Sequence, residues 1–371
     1  MSISIRKISS ILSRHFPSKA AESWDNPGLQ VGHRDAEVAR VLVSLELTQA
    51  VIDEAVSSGA GLVVTHHPFI FKPMKAFSDA TADGRMLLAL AENRIGLFAA
   101  HTNLDAAPCA IADRLADDLG LTDRRPVLPA TPYAAYKITA FVPESDVEAV
   151  AAAMHAAGAG CVGNYADVSF RAAGLGYFAC GEDSNPAYGF PGQRECVREV
   201  RLEMVVSERD LDNAIRALVD AHPYEEPAYD VFRLENPIHG ISDEYGFGTV
   251  GTLPEPTKAA DLIAKIKQVW DIPSLRAAGD PEKVLRTVAI MNGAGAKYMT
   301  SCGKIDAYIS GDCGHHDFDR ADREGIVLID AGHYDTEKCI PQIIADTLRA
   351  ELGDAVEIEV STAMANPMRV Y

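Results

Sequence analysis

The sequence has no uninterrupted apolar stretch near the ~18 residues that a membrane helix requires, which excludes a transmembrane span of that kind. It has no C-x-x-C pair, and its seven cysteines are odd in number and widely spread. A disulfide framework is therefore not expected, and a reduced cytoplasmic setting is. Positive charge is scarce. Lys and Arg total 34 against 53 Asp and Glu, giving a net charge of −19. Phosphate neutralisation supplies most nucleic-acid affinity, so nucleic acid is not an expected partner, and neither is a membrane surface. A signal peptide is also not expected. The N-terminus spaces Ile5, Ile8, Leu12 and Phe16 as an amphipathic helix, and Arg6, Lys7 and Arg14 break any continuous apolar core.

What is present is a soluble, globular composition: 47% hydrophobic and 23% charged residues. At 371 residues the chain exceeds one ordinary core, so two or three domains are expected. Residues 1–125 alternate strand and helix. Apolar runs end at Glu46, at His66-His67 and at His101, separated by helical patterns such as TQAVIDEAVSSG, and Pro108 stands where the next helix would begin. Residues 246–371 repeat that grammar, with strands at RTVAIM, DAYISGD and IVLIDAGH and a closing helix in EKCIPQIIADTLRAEL. Strands this apolar imply parallel sheets covered on both faces. Residues 126–245 differ. Two weakly similar segments each read strand, capped helix, strand, which together predict a βαββαβ ferredoxin-like domain. The expected fold class is thus α/β, with two related α/β lobes forming one unit that is interrupted by an inserted α+β domain.

In open α/β sheets, ligands bind beyond the carboxyl ends of the strands. The histidines concentrate there: His66, His67, His101, His315, His316 and His333, with Asp105, Asp312 and Glu337 close by in sequence. Imidazole with carboxylate and without thiolate suits Zn, Mn or Fe at an open site rather than a structural zinc. The adjacent pair His66-His67 could serve two ions, and Asp105 and Glu337 are candidate bridges for a dinuclear centre. His333 and Glu337 share a face if their turn is helical. Each element also has a plainer reading: a core histidine at T-H-H-P, and helix caps at H-T-N-L-D and G-H-Y-D-T-E. Asp312, His315 and His316 read as partners that orient ligands, and His101 as either such a partner or a proton shuttle. Weaker features are the segment Glu22 to Gly32 with Trp24 and Asp25, a turn or a loop rimming the site; Asn292 to Lys297, a turn resembling a phosphate cradle without its spacing; and His222 to Asp230, a strand pairing bounded by prolines or a metal site.

Taken in order, W24-D-N-P-G-L-Q-V-G, T65-H-H-P, H101-T-N-L-D, S310-G-D with His316, and D330-A-G-H-Y-D-T-E resemble the GTP cyclohydrolase 1 type 2 homologs, also called NGG-interacting-factor-three-like dinuclear metal proteins. The resemblance covers nearly the whole chain, and the middle segment, with H-P-Y-E-E-P-A-Y-D, resembles the PII/CutA-like insert of the longer bacterial form. It implies two divalent cations on His66, His67, Asp105, His333 and Glu337, with Glu337 bridging, and a toroidal homohexamer. One departure is the C-G-H-H run after Asp312, which leaves His316 as the matching histidine. The implied activity is that of a metal-dependent hydrolase acting on a small molecule, with opening of a guanine imidazole ring as the named case and His101 or His316 moving the proton. The alternative is a non-catalytic metal-binding scaffold or regulator whose insert senses a ligand.

Overall fold

Three short apolar strands form the middle of the five-stranded first sheet. In Leu62–Thr65 every residue is buried, and Gly96–Ala99 and most of Arg40–Ser44 share that pattern. Period-two alternation is absent because helices cover both faces. The parallel strands run in the order Glu357–Val360, Arg40–Ser44, Leu62–Thr65, Gly96–Ala99, with Gly28–Val31 added antiparallel at the edge. The register aligns Ser44, Thr65 and Ala99, so the carboxyl ends finish level. The helix Gln49–Ser58 begins where the Thr48 side chain accepts the Val51 N–H and ends at Gly59 in the left-handed region. It buries Val51, Ile52 and Ala55 against Leu42, Val63 and Leu97. Each such aliphatic side chain stabilises the fold by about 1.5–3 kcal/mol, so a charge at Val63 would disrupt this layer.

The second sheet runs Arg276–Ala278, Val327–Asp330, Ala307–Ser310, Val284–Ile290, Thr249–Lys258, Thr122–Arg125, with the Val327–Asp330, Ala307–Ser310 and Val284–Ile290 strands parallel. Ser310 and Asp330 are in register, so here too the strand ends meet at one edge.

The two sheets exchange their closing elements. The helix Ile111–Leu119 packs on strands of the second sheet, and Thr122–Arg125 pairs there. Conversely, the helix Ile340–Leu352 packs on Arg40–Ser44, and Glu357–Val360 completes the first sheet. The sequence pattern predicts a closing helix and no strand after it. E-I-E-V carries only two apolar residues, too weak a signal to read as a strand on its own.

The computed structural model describes residues 2–108, 110–130, 133–236 and 245–369. The chain forms two compact units, one of residues 1–130 with 245–371 and one of residues 131–244. The second unit has an antiparallel sheet ordered Phe170–Ala179, Arg194–Ser207, Ala135–Pro143, Tyr229–Arg233. Helices Val147–Ala156 and Leu211–Ala221 bury Val150, Met154 and Leu218 with Ile138, Leu202 and Met204 of the strands. His222 is fixed by the backbone: Nε2 lies 3.1 Å from the Phe141 carbonyl and Nδ1 accepts the Tyr224 N–H at 3.0 Å. Both ring nitrogens are therefore taken, which leaves the pairing role and removes the metal-site reading of that run. Altogether the protein is a mixed α/β structure with several sheets.

Candidate metal centre

His66 and His67 follow directly on the buried Leu62–Thr65 strand, and the chain turns at Pro68. The Thr65 hydroxyl donates to the His67 carbonyl at 2.9 Å, and both His66 and His67 donate backbone N–H groups to Leu45. The regular alternation of a strand is thereby broken, and both imidazoles reach one cluster, with ring centroids 4.9 Å apart.

His66 is fully buried. Its Nδ1–H donates to the Ala100 carbonyl at 2.8 Å, which leaves Nε2 as the bare acceptor nitrogen. That Nε2 has no hydrogen-bond partner although it is buried. It stands 3.8 Å from Asp105 Oδ1 and 4.0 Å from Glu337 Oε2, too far for a hydrogen bond and of the spacing expected for donors around a common ion.

The other three imidazoles repeat the pattern. His67 Nδ1 lies 3.2 Å from Glu46, His101 Nδ1 2.8 Å from Asp25, and His333 Nδ1 2.8 Å from Asp312. An imidazole whose Nδ1 is held by a carboxylate presents Nε2 to the site in a fixed orientation, the usual outer partnership of a metal-ligating histidine. His333 and Glu337 do share a face, since His333–Glu337 is one short helical turn. The Glu337 Oε2 atom is 3.0 Å from His333 Nε2 and 3.1 Å from His67 Nε2. Three donor groups result: His66 with His67 and His101; His67 with His333 and Glu337; and His66 with Asp105 and Glu337. In each, one ligand atom per residue lies within 4.8 Å of the others, and Glu337 belongs to two of them.

Electrostatics follow from this packing. Burial holds the His66 imidazole down to about 3, so it is neutral. Burial would also depress His67, but Glu337 and Glu46 outweigh it and raise the ring to about 10. Hydrogen bonding to Glu337 lifts His333 to about 9. Burial, then the nearby Glu337, pushes Asp105 up to about 7. Burial opposes ionisation of Glu337, yet His333 and His67 keep it well below the ordinary carboxylate range. At Asp25, burial is likewise overcome by hydrogen bonds from His101 and Thr102, which bring it to about 2.

Three supporting groups are not among the ligands that the sequence pattern predicts. Asn292 donates to Asp105 Oδ1 at 2.9 Å and to Glu337 Oε1 at 3.1 Å. Its neighbour Gly293 has φ 59°, and a Cβ there would overlap Glu337 Oε1, so the turn leaves room for the carboxylate. The phosphate-cradle reading of this turn fails because its amides are spent internally: Gly293 N–H donates to Thr336 Oγ1 and Gly295 N–H to Ser310 Oγ, both at 3.0 Å. Glu46 and Asn292 each lie just past the end of a strand, so the rule that located the histidines extends to them. Asp25 comes from the Trp24 loop, which rims the site. It accepts from the Thr102 N–H at 3.0 Å and from His101. Asp312, at φ 54° in the left-handed region, orients His333. His315 and His316 stand exposed in the first turn of the helix His315–Glu324 and join none of the three donor groups.

Residues 3–367 match the model of the Duf34/NIF3 (NGG1p interacting factor 3) family. The chain belongs to this family. Its NIF3 relatives include a protein named GTP cyclohydrolase 1 type 2 homolog from Halalkalibacterium halodurans, 34% identical over 362 residues and covering 96% of each chain. The Bacillus subtilis protein of the same name is 32% identical over 371 residues, covering 99% of this chain and 98% of its own. Among solved structures, a Bacillus cereus protein related to NIF3 superimposes with a TM-score of 0.88 at 32% identity, covering 100% of this chain and 99% of that one. As the sequence pattern predicts, the His/carboxylate groups of this NIF3-family chain could hold a metal ion.

Proposed function

We propose that this protein is a dinuclear divalent-metal hydrolase acting on a small molecule. The observation that carries the reading is the buried, unpartnered Nε2 of His66, aimed between two carboxylates while its Nδ1 is spent on the backbone. Leaving a buried nitrogen unpaired is costly, and a cation between these carboxylates would supply the missing partner. His66, His67, Asp105, His333 and Glu337 are the proposed ligands. Glu337 is shared between two donor groups, which supports its bridging role. His101 is best placed as a further donor, because its Nδ1 is committed to Asp25 as the other rings' Nδ1 atoms are to their acceptors. Zn, Mn and Fe each suit this donor set.

Two cations held in this way would supply Lewis acidity to a water and to the atom it attacks. The chain's own residues do the rest. Asn292 keeps the Asp105 and Glu337 carboxylates apart and oriented. Glu46, half-exposed beside His67, links the buried cluster to solvent and is the group able to exchange protons there. His316, exposed and outside the donor groups, is the weaker candidate for that task.

Trp24 and Phe71 flank the centre. Trp24 is 50% and Phe71 43% exposed, their rings 5.7 Å apart and 6.0 and 6.5 Å from His101. The loops bearing them are tied together by Asn26 and Gln30, whose side chains bond Ile70. Fixed, exposed rings beside the centre suit a planar heterocyclic substrate. That supports, as the named case, the guanine ring opening suggested by the names of the relatives.

The assembly is proposed as a cytoplasmic homohexamer, with the unit 131–244 as a ferredoxin-like, PII/CutA-type insert. Its strand order, with the first and third strands central and antiparallel, supports that topology. Among the described residues no helix is long and apolar enough to cross a membrane. Light scattering at about six chain masses tests the assembly. Turnover of GTP and other heterocycles by metal-loaded protein, lost in Asp105→Asn without unfolding, tests the chemistry. Unfolding with no turnover in any variant would favour the scaffold reading instead.

A further inference from the structure

The unit of residues 131–244 holds a cavity of about 680 Å³ that has no part in the metal centre. That volume lies within the range of small-molecule pockets. One wall is the strand segment 172–176, where Ala172, Gly174 and Gly176 offer little or no side chain to fill the space. A Cβ at Gly176 would overlap the Glu199 carboxylate, so this glycine is what lets Glu199 lie across the wall.

Glu199 is buried, at 9% exposure. The Tyr224 hydroxyl donates to its Oε1 at 2.8 Å. Tyr224 in turn packs edge-on against Phe178 at 5.6 Å and Tyr188 at 5.9 Å, forming an aromatic corner beside the carboxylate. The loop that bears Tyr188 is anchored: Glu225 accepts the Asn185 N–H at 3.0 Å. The one cationic lining residue, Arg201, is occupied by Glu203 at 2.6 Å. A buried carboxylate among aromatic rings, its one cationic neighbour in the lining already paired, selects for positive charge on an apolar or planar body.

We propose that this cavity binds a small organic cation, an amidinium, guanidinium or ammonium group on a compact carbon frame, with Glu199 as the charge partner and Tyr188 and Tyr224 as the aromatic wall. The site is independent of the hydrolase reading, since no residue is shared between them.

The test uses full-length protein and two isosteric probes, benzamidine and the neutral benzamide, followed by isothermal titration calorimetry. Benzamidine should saturate one site per chain, and benzamide should bind at least ~10-fold more weakly. Glu199→Gln, nearly the same shape, should weaken benzamidine by ~10-fold or more with an unchanged thermal melt. Tyr224→Phe keeps the charge and should retain binding, which guards against reading a misfolded Glu199→Gln as a success. Three results would overturn the proposal: equal binding of benzamide, benzamidine binding that survives Glu199→Gln (as adsorption to the acidic surface would), or no saturation by benzamidine up to ~10 mM.

Discussion

Asn292 Nδ2 lies 3.1 Å from Glu337 Oε1, and the same amide reaches Asp105 Oδ1. This neutral donor is shared by the two carboxylates of the proposed centre, so it should govern how they face an ion. Asn292→Ala should lower metal affinity by ~10–100-fold, as loss of an orienting partner usually does, and cost about 1–3 kcal/mol of stability in the metal-free protein. Competition with a chromophoric chelator measures the first effect, and urea unfolding the second.

Metal uptake should release protons. His67 and His333 sit near 10 and 9 in the metal-free protein, so at pH 7 both rings are charged and must become neutral to ligate. Asp105, near 7, adds a fraction of a proton. Calorimetry at pH 7 in buffers of different ionisation enthalpy should report between two and three protons released per chain on loading, with affinity rising steadily from pH 6 to about pH 10.

The same shifts fix the stability of the metal-free form. Raised imidazole values contribute stability that is fully present below the ordinary 6.5, declines above it and is gone by about pH 10. The depressed Glu337 contributes stability that is present above the ordinary 4.5 and lost as pH falls through its folded value. Thermal melts of chelator-treated protein should therefore fall between pH 6.5 and 10, whereas metal-loaded protein should keep its midpoint. A chelated protein with equal melts at pH 6.5 and 10 would contradict this charge arrangement.

Trp24→Ala should leave metal content unchanged and raise KM for a planar heterocyclic substrate by ~5–150-fold, in line with about 1–3 kcal/mol per stacked ring. Trp270 is buried, so quenching of tryptophan fluorescence by such a ligand should report on Trp24 and vanish in the variant.

Much of this is legible in the chain. Most of the parallel strands stand out as short apolar runs, and chemistry-bearing residues occupy their ends, so the apolar runs and the strand-end rule together group His66, His67, His101, Asp105, His333 and Glu337. Less visible are the elements that cross between sheets. Glu357–Val360 has too few apolar residues to stand out, and its place beside Arg40–Ser44 depends on a partner more than 300 residues away. The outer partners are obscure for a related reason. Glu46, Asp25 and Asn292 are common residue types in turns or strand ends, and only the tertiary fold brings each to an imidazole or a carboxylate. His316 shows the reverse: a motif position that matches but whose side chain stands in solvent in this chain.

The central claim is that the His66–Glu337 cluster holds two divalent ions. Elemental analysis of protein purified without chelator, alongside Glu337→Ala, tests it most directly, with circular dichroism to monitor folding. The account predicts about two ions per chain in the native protein, and at most one in the variant with its fold intact. Fewer than one ion in the native protein, or full metal content in the variant, would contradict it.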